Sequence, residues 1–311
     1  MKNIFPLIIL LFSIHLTALA QQKNEEPHYI RDHADKMIYF SVDEAEAADG
    51  TVEILNLRNK ELTEVPAGID QFTELKFLNL MKNQLTDLDP KIFDCLELTE
   101  INMRQNKIEE IPAQVGQLKE LETFNASRNQ LKIMPEEIGG LEKVQIVLVG
   151  RNQLVKMPQS IGNLSMLRTL EAEENKLKDL PESTGNLSDL VMLNLSKNQF
   201  ELFPTALTEL KNLENLNFDN NKIKSLPQDI KKMKSLKALT ISDNQLTSLP
   251  DKMVKLKGLE LLNLANNQLT VMPEKIKKLK NLSTLVLTGN NFSAEEKKRI
   301  KAELPGVDIR F

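Results

Sequence analysis

Glu171 and Glu173 stand two residues apart in the stretch Thr169-Leu170-Glu171-Ala172-Glu173-Glu174, a spacing that puts both carboxylates on one face of an extended strand. Such a pair would serve general acid–base chemistry or hold calcium. Glu174, however, is framed at 23-residue steps by Arg151 and Lys197, and that arrangement reads as a charge ladder between neighbouring strands rather than a reaction centre. His28, Asp32, His33 and Asp35 form the only small cluster of metal-ligand types, with no recognisable metal spacing, so a solvated flank is the expectation. Cys95 occupies the place filled later by Leu118, Leu141, Leu164 and Leu187, which marks it as a buried apolar filler. None of the motifs G-x-x-x-x-G-K-[ST], H-E-x-x-H or G-x-S-x-G occurs. The chain is expected to be no enzyme and to need no cofactor and no metal.

Composition agrees. The 311 residues carry 40 Lys and Arg against 44 Asp and Glu, for a net charge of −4, so the basic excess of a nucleic-acid binder is absent. With 41% hydrophobic and 27% charged residues the chain matches ordinary globular usage. Three His and one Cys exclude a disulfide framework and leave little material for a zinc site.

Residues 1–20, MKNIFPLIILLFSIHLTALA, have the layout of a cleavable secretory signal: Lys2, an apolar run from Ile4 to Ile14, and Ala18-Leu19-Ala20. The apolar run is shorter than the ~20 residues that span a bilayer, so no membrane span is expected after cleavage. The absence of a Cys near Ala20 disfavours a lipid-attached form.

The elements that must position every candidate residue come from a 23-residue period. Units start at Val52, Leu75, Leu98, Leu121, Val144, Leu167, Leu190, Leu213, Leu236, Leu259 and Leu282, ten complete and an eleventh partial, with the form L-x-x-L-x-L-x-x-N-x-L-x-x-L-P-x-x-I-x-x-L-x-x. A fixed period of this length signals a solenoid. Leu213, Leu216 and Phe218 point inward, as do Leu236, Leu239 and Ile241 one coil later, and Ile223, Leu226, Ile230 and Met233 close the layer from the other side. The ninth position holds Asn83, Asn106, Asn129, Asn152, Asn175, Asn198, Asn221, Asn244, Asn267 and Asn290, each able to satisfy backbone groups where the chain leaves the strand. Lys60 replaces it in the first unit, Asp89-Pro90 alters the second, and Thr184 stands where most units have Ile. Ser41-Val42-Asp43-Glu44 and Ser293-Ala294-Glu295-Glu296 have capping-box form, which predicts a short N-terminal helix through Ala45 to Ala48 ended by Gly50, and a C-terminal cap sealed by Ile300, Leu304 and Ile309. The organisation is thus a leader (1–20), a flank and cap (21–51) whose polar start, 21–26, is expected to be disordered, repeats (52–292) and a C-terminal cap (293–311).

These units resemble the leucine-rich repeat family, in particular its 23-residue class found in bacterial proteins and in Ras-suppressor-like and plant Ras-group proteins, over roughly three quarters of the chain. The resemblance implies an α/β solenoid, curved, with parallel strands on the concave face and an irregular or short-helical convex side. Animal and plant extracellular members carry Cys-rich caps, which Cys95 alone cannot supply, so a bacterial protein that is secreted, periplasmic or surface-bound is expected. The ubiquitin ligases of the family need a further Cys-bearing domain, for which no room is expected after Phe311.

Solenoids bind through the concave face, and there the first five units offer Ile54, Arg58, Phe77, Met81, Lys82, Arg104, Arg128, Ile146, Leu148 and Arg151. Exposed Phe, Met and Arg anchor protein interfaces, so the expected partner is a protein and not a nucleic acid. Two readings compete. One is an envelope scaffold that binds anionic glycan through convex lysines, among them Lys231, Lys232, Lys234, Lys255, Lys275, Lys277, Lys278 and Lys280. The other is an intracellular signalling scaffold of Ras-group type, which requires that the leader not be a signal.

Overall fold

The computed structural model describes residues 36–311; the leader and the His28, Asp32, His33, Asp35 cluster lie outside the described residues. Strand β1 (Ile38–Tyr39) and a one-turn helix, α1 (Val42–Glu46), open the chain. Eleven three-residue strands follow at 23-residue steps: β2 (Ile54–Asn56), β3 (Phe77–Asn79), β4 (Glu100–Asn102), β5 (Thr123–Asn125), β6 (Ile146–Leu148), β7 (Thr169–Glu171), β8 (Met192–Asn194), β9 (Asn215–Asn217), β10 (Ala238–Thr240), β11 (Leu261–Asn263) and β12 (Thr284–Val286). Helix α2 (Ala294–Glu303) and strand β13 (Asp308–Arg310) end it. All 13 strands pair in chain order into one parallel sheet.

Register is held without slip, each pair joining like positions of successive coils, such as Ile54 with Phe77 and Phe77 with Glu100. The middle residue of every repeat strand points into the solenoid, so Leu55, Leu78, Ile101, Phe124 and their successors to Leu285 are at most 1% exposed. A coil exposes this apolar row until its neighbours cover it, and burial is worth about 1.5–3 kcal/mol per side chain. The convex side is a stack of short 3₁₀ turns, five residues long in most coils, as in Gln228–Lys232. Ile223, Ile230 and Met233 are fully buried beneath it and Leu226 nearly so, as the pattern required. Asp89-Pro90 does not shift the path: Pro90 becomes the first residue of its turn, and the Asp89 carboxylate caps it by accepting the Lys91 N–H at 3.0 Å.

The asparagine row works as a bridge between coils. Asn152 accepts the Leu131 N–H at 3.0 Å and donates to Val149 and Ala126, each at 3.0 Å. Every member from Asn83 to Asn290 repeats this triple bond, to partners 21, 26 and 3 residues earlier. The residue just before each asparagine is left-handed, from Lys82 at φ 57° to Asn266 at φ 53° and Gly289 at φ 74°. That kink turns the chain away from the strand and aims the carboxamide inward.

Both caps form, with differences. Ser41 accepts the Glu44 N–H at 3.1 Å, but the helix it starts ends at Glu46, and Gly50 is not its terminus. Ser293 accepts the Glu296 N–H at 3.2 Å, and Ile300 and Leu304 seal the last coil. Strands β1 and β13, which the repeat pattern did not signal, lengthen the sheet by one strand at each end.

Two stability measurements follow from this construction. Asn152→Ala leaves the Leu131 N–H unpaired in the interior and removes one of the two bonds to each of the Ala126 and Val149 carbonyls, which keep those from Asn129 and Asn175, and should lower stability by about 1–3 kcal/mol, read as a lower urea midpoint. Thr184 is 1% exposed and its hydroxyl has no hydrogen-bond partner, so Thr184→Val should raise the midpoint, by about 1 kcal/mol, instead of lowering it.

Candidate interaction site on the concave face

The first and third residues of each strand, and the two residues that follow the next inward one, face the concavity. Their burial corrects part of the sequence reading. Ile54 and Phe77 are completely buried and Met81 is 6% exposed, so they cannot serve as exposed anchors. The reason lies in β1, which sets Ile38 beside Ile54 and completes an apolar row Ile38–Ile54–Phe77 on that face. Ile146 and Leu148 are half-buried. In the other half, Asn194, Ser196, Asn217, Thr240, Ser242 and Leu261 are also buried, because side chains on the inside of a curved sheet converge.

The charged candidates stay accessible and gather. Arg58, Lys82, Arg104 and Arg128 are half-buried and Arg151 is exposed. Burial, followed by the fields of Arg128, Arg151 and Arg58, holds the Arg104 guanidinium below its ordinary pKa, against the pull of Glu171. Arg151 pairs with Glu174 at 3.1 Å, and Lys197 meets the same oxygen at 3.0 Å, which is the ladder expected from the 23-residue steps. Arg58, Arg104 and Arg128 have no carboxylate within ion-pair distance among the described residues.

Beyond the arginines the face turns acidic. The Glu171 carboxyl is pushed up to about 7 by burial and by Glu173, and its Oε1 is buried with no hydrogen-bond partner. Glu173 is raised as well, chiefly by burial and less by Glu174, and it fills the space that a side chain at Gly150 would take. Glu100, beside Phe77 in the sheet, is pushed up to about 7 by burial alone. These carboxylates lack the assembled partners of an acid–base pair, and no group of three or more metal-ligand side chains occurs among the described residues. Cys95 is fully buried, donates to the Ile69 carbonyl at 3.3 Å, and has its thiol pushed up to about 12 by burial and by Asp70 and Asp94, which leaves it unreactive at neutral pH.

One functional row escaped the sequence reading. Asn56, Asn79, Asn102, Asn125, Asn194, Asn217 and Asn263 each accept the N–H two residues on, at 2.8–3.3 Å, and so hold the backbone at Arg58, Met81 and Arg104. Its signal was visible: Asn recurs four positions before the bridging asparagine.

A curved, unclosed parallel sheet with short convex turns defines a leucine-rich repeat solenoid of the α/β class. The sequence pattern described as leucine rich repeat matches residues 73–131, 200–246 and 234–292, and the chain is a leucine-rich repeat protein. It is similar in structure to the plant peptide hormone receptor RGFR1, solved in complex with RGF2, at 27% identity and a TM-score of 0.68, over 77% of this chain and 40% of that one. A TDR receptor matches at 28% identity and a TM-score of 0.67, over 82% of this chain and 51% of its own. The chain therefore spans about half or less of these two receptors. An internalin, inlF, from Listeria monocytogenes shares the fold at 22% identity and a TM-score of 0.64, over 84% of this chain and 80% of that one. No curated protein matches the chain. No helix among the described residues is long and apolar enough to cross a membrane.

The raised carboxyl of Glu171 fixes a pH dependence. The folded chain keeps this proton between about 4.5 and about 7 while the unfolded chain releases it, so stability falls as pH rises through that window. Glu171→Gln should therefore gain in Tm over the wild type at pH 8 relative to their difference at pH 5; an equal difference at both would refute the assignment.

Proposed function

We propose that this chain is an exported, non-enzymatic recognition protein, of the bacterial 23-residue class, that binds another protein through the concave face of its first five coils. The observation that carries this reading is the arginine cluster: Arg58, Arg104, Arg128 and Arg151 lie within one another's field, and three of them lack a carboxylate partner among the described residues. Arginines left half-desolvated and unpaired are the residue type that anchors protein interfaces. The likeness to RGFR1, solved with RGF2 bound, supports a binding role for the solenoid. The leader supports export.

Because Phe77 is buried, its truncation would test packing; the test of binding is Arg104→Glu with Arg128→Glu. Protein captured from envelope and extracellular fractions by the tagged chain should be lost at least about tenfold with this double variant at unchanged Tm. Unchanged capture removes the concave assignment.

The convex lysines sustain a second reading, a scaffold for anionic glycan. Lys231 and Lys232 are engaged by Asp229, and Lys232 also by Glu209, whereas Lys255, Lys275, Lys277 and Lys280 form no ion pair among the described residues. Capture that collapses with salt and ignores the double variant would select this alternative.

A further inference from the structure

The concave charges have a sequence of their own along the solenoid. Neighbouring strands lie about 4.8 Å apart, so Arg58 and Arg104, two coils apart, are separated by roughly 10 Å along the axis, and Arg104 and Glu171, three coils apart, by roughly 14 Å. An extended peptide advances about 3.3 Å per residue and turns every second side chain to the same face, so same-face positions two or four residues apart, about 6.6 or 13 Å, bracket the first interval and four residues match the second. Between Arg104 and Glu173 the equivalent places in the intervening coils are held by Ser127 and Gly150, so no bulky side chain interrupts the floor. Arg104 and Glu171 sense each other across it.

Each end of this track is incomplete. Three arginines at one end repel one another with no acid to neutralise them among the described residues. At the other end a buried carboxylate oxygen of Glu171 accepts nothing, and Glu173 stands beside it. Half-desolvated arginines with no acid beside them and a buried carboxyl with an idle oxygen are relieved together by a ligand of the reverse polarity.

We infer that the concave site takes an extended protein segment with two acidic side chains two or four residues apart, over Arg58 and Arg104, and a basic side chain about four residues further on, over Glu171 and Glu173. The inference rests on the concave-face reading above and adds the chemistry of the partner. A long uniform polyanion does not fit, since its charge would continue onto Glu171, Glu173 and Glu174 and then onto Asp219 and Asp243. A purely acidic segment would leave Glu171 without a donor.

Panning a displayed library of random dodecapeptides on the full chain at low salt tests this. Enriched peptides should carry the acidic pair followed by Lys or Arg, and their affinity should fall at least about tenfold with Arg104→Glu and with Arg58→Glu. Glu171→Lys combined with Glu173→Lys should replace the selected basic residue with an acidic one. Thr123→Trp and Thr169→Trp, each half-buried on this face, block it without changing charge and separate the two levels of the argument. Peptides lost with either tryptophan but indifferent to the arginine variants, or lacking the charge pattern, overturn the inference and leave the concave reading standing. Peptides lost with none of these variants overturn the concave reading itself. A library that yields no binder overturns the inference, because the segment it specifies is short enough to be displayed.

Discussion

From the second coil on, each time the chain leaves a repeat strand of this solenoid, backbone groups that a single coil cannot pair face the interior, and one carboxamide per coil settles them. Asn carries one acceptor and two donors at the end of a side chain short enough to stay rigid, which is what the site needs. Because the acceptor reaches 21 residues back and one donor 26, the same group that ends one strand fixes the distance to the previous coil. Register follows from this bridge as much as from the sheet bonds. A coil shifted by one residue would lose all three bonds and would also turn its apolar row outward.

Fixed register makes every position of the unit a straight row on the surface, and charge placed at one position recurs one strand spacing away. Most charged rows use this to neutralise themselves. Glu53 meets Lys76, Glu109 meets Lys132, Glu120 meets Lys143, Glu201 meets Lys224 and Glu214 meets Lys237, each across one coil. Exposed pairs of this kind stabilise by about 0–1 kcal/mol at most, so their effect is less to hold the fold than to cancel charge along those rows.

The period, the inward leucines, the bridging asparagines and both serine caps were legible because each is a residue type recurring at a fixed step. What escaped has other causes. Strands β1 and β13 lie outside the repeat and borrow their pairing from it, so no period announces them. The left-handed residue before each bridging asparagine is Lys, Gln, Arg or Glu in six coils, and only Asn220, Asp243, Asn266 and Gly289 are of types that such a φ suits. Tertiary demand there overrides local preference. Ile54 and Phe77 were misread because strand alternation separates core from concavity but does not separate concavity from solvent.

The concave arginines differ from these paired rows. Arg58 and Arg104 are two coils apart in the same row, with Met81 between them where a carboxylate would have neutralised both, and Arg128 stands one place to the side. The next two members of that row are Ser127 and Gly150, and the first carboxylate on it is Glu173, five coils from Arg58. Like charges at this spacing, half withdrawn from water, lower stability, and the buried Met81 between Arg58 and Arg104 supplies no counter-charge. This row keeps unpaired, half-desolvated charge on the face that the core leaves free. That is the physical ground of the proposal that recognition uses the concave side of the first five coils.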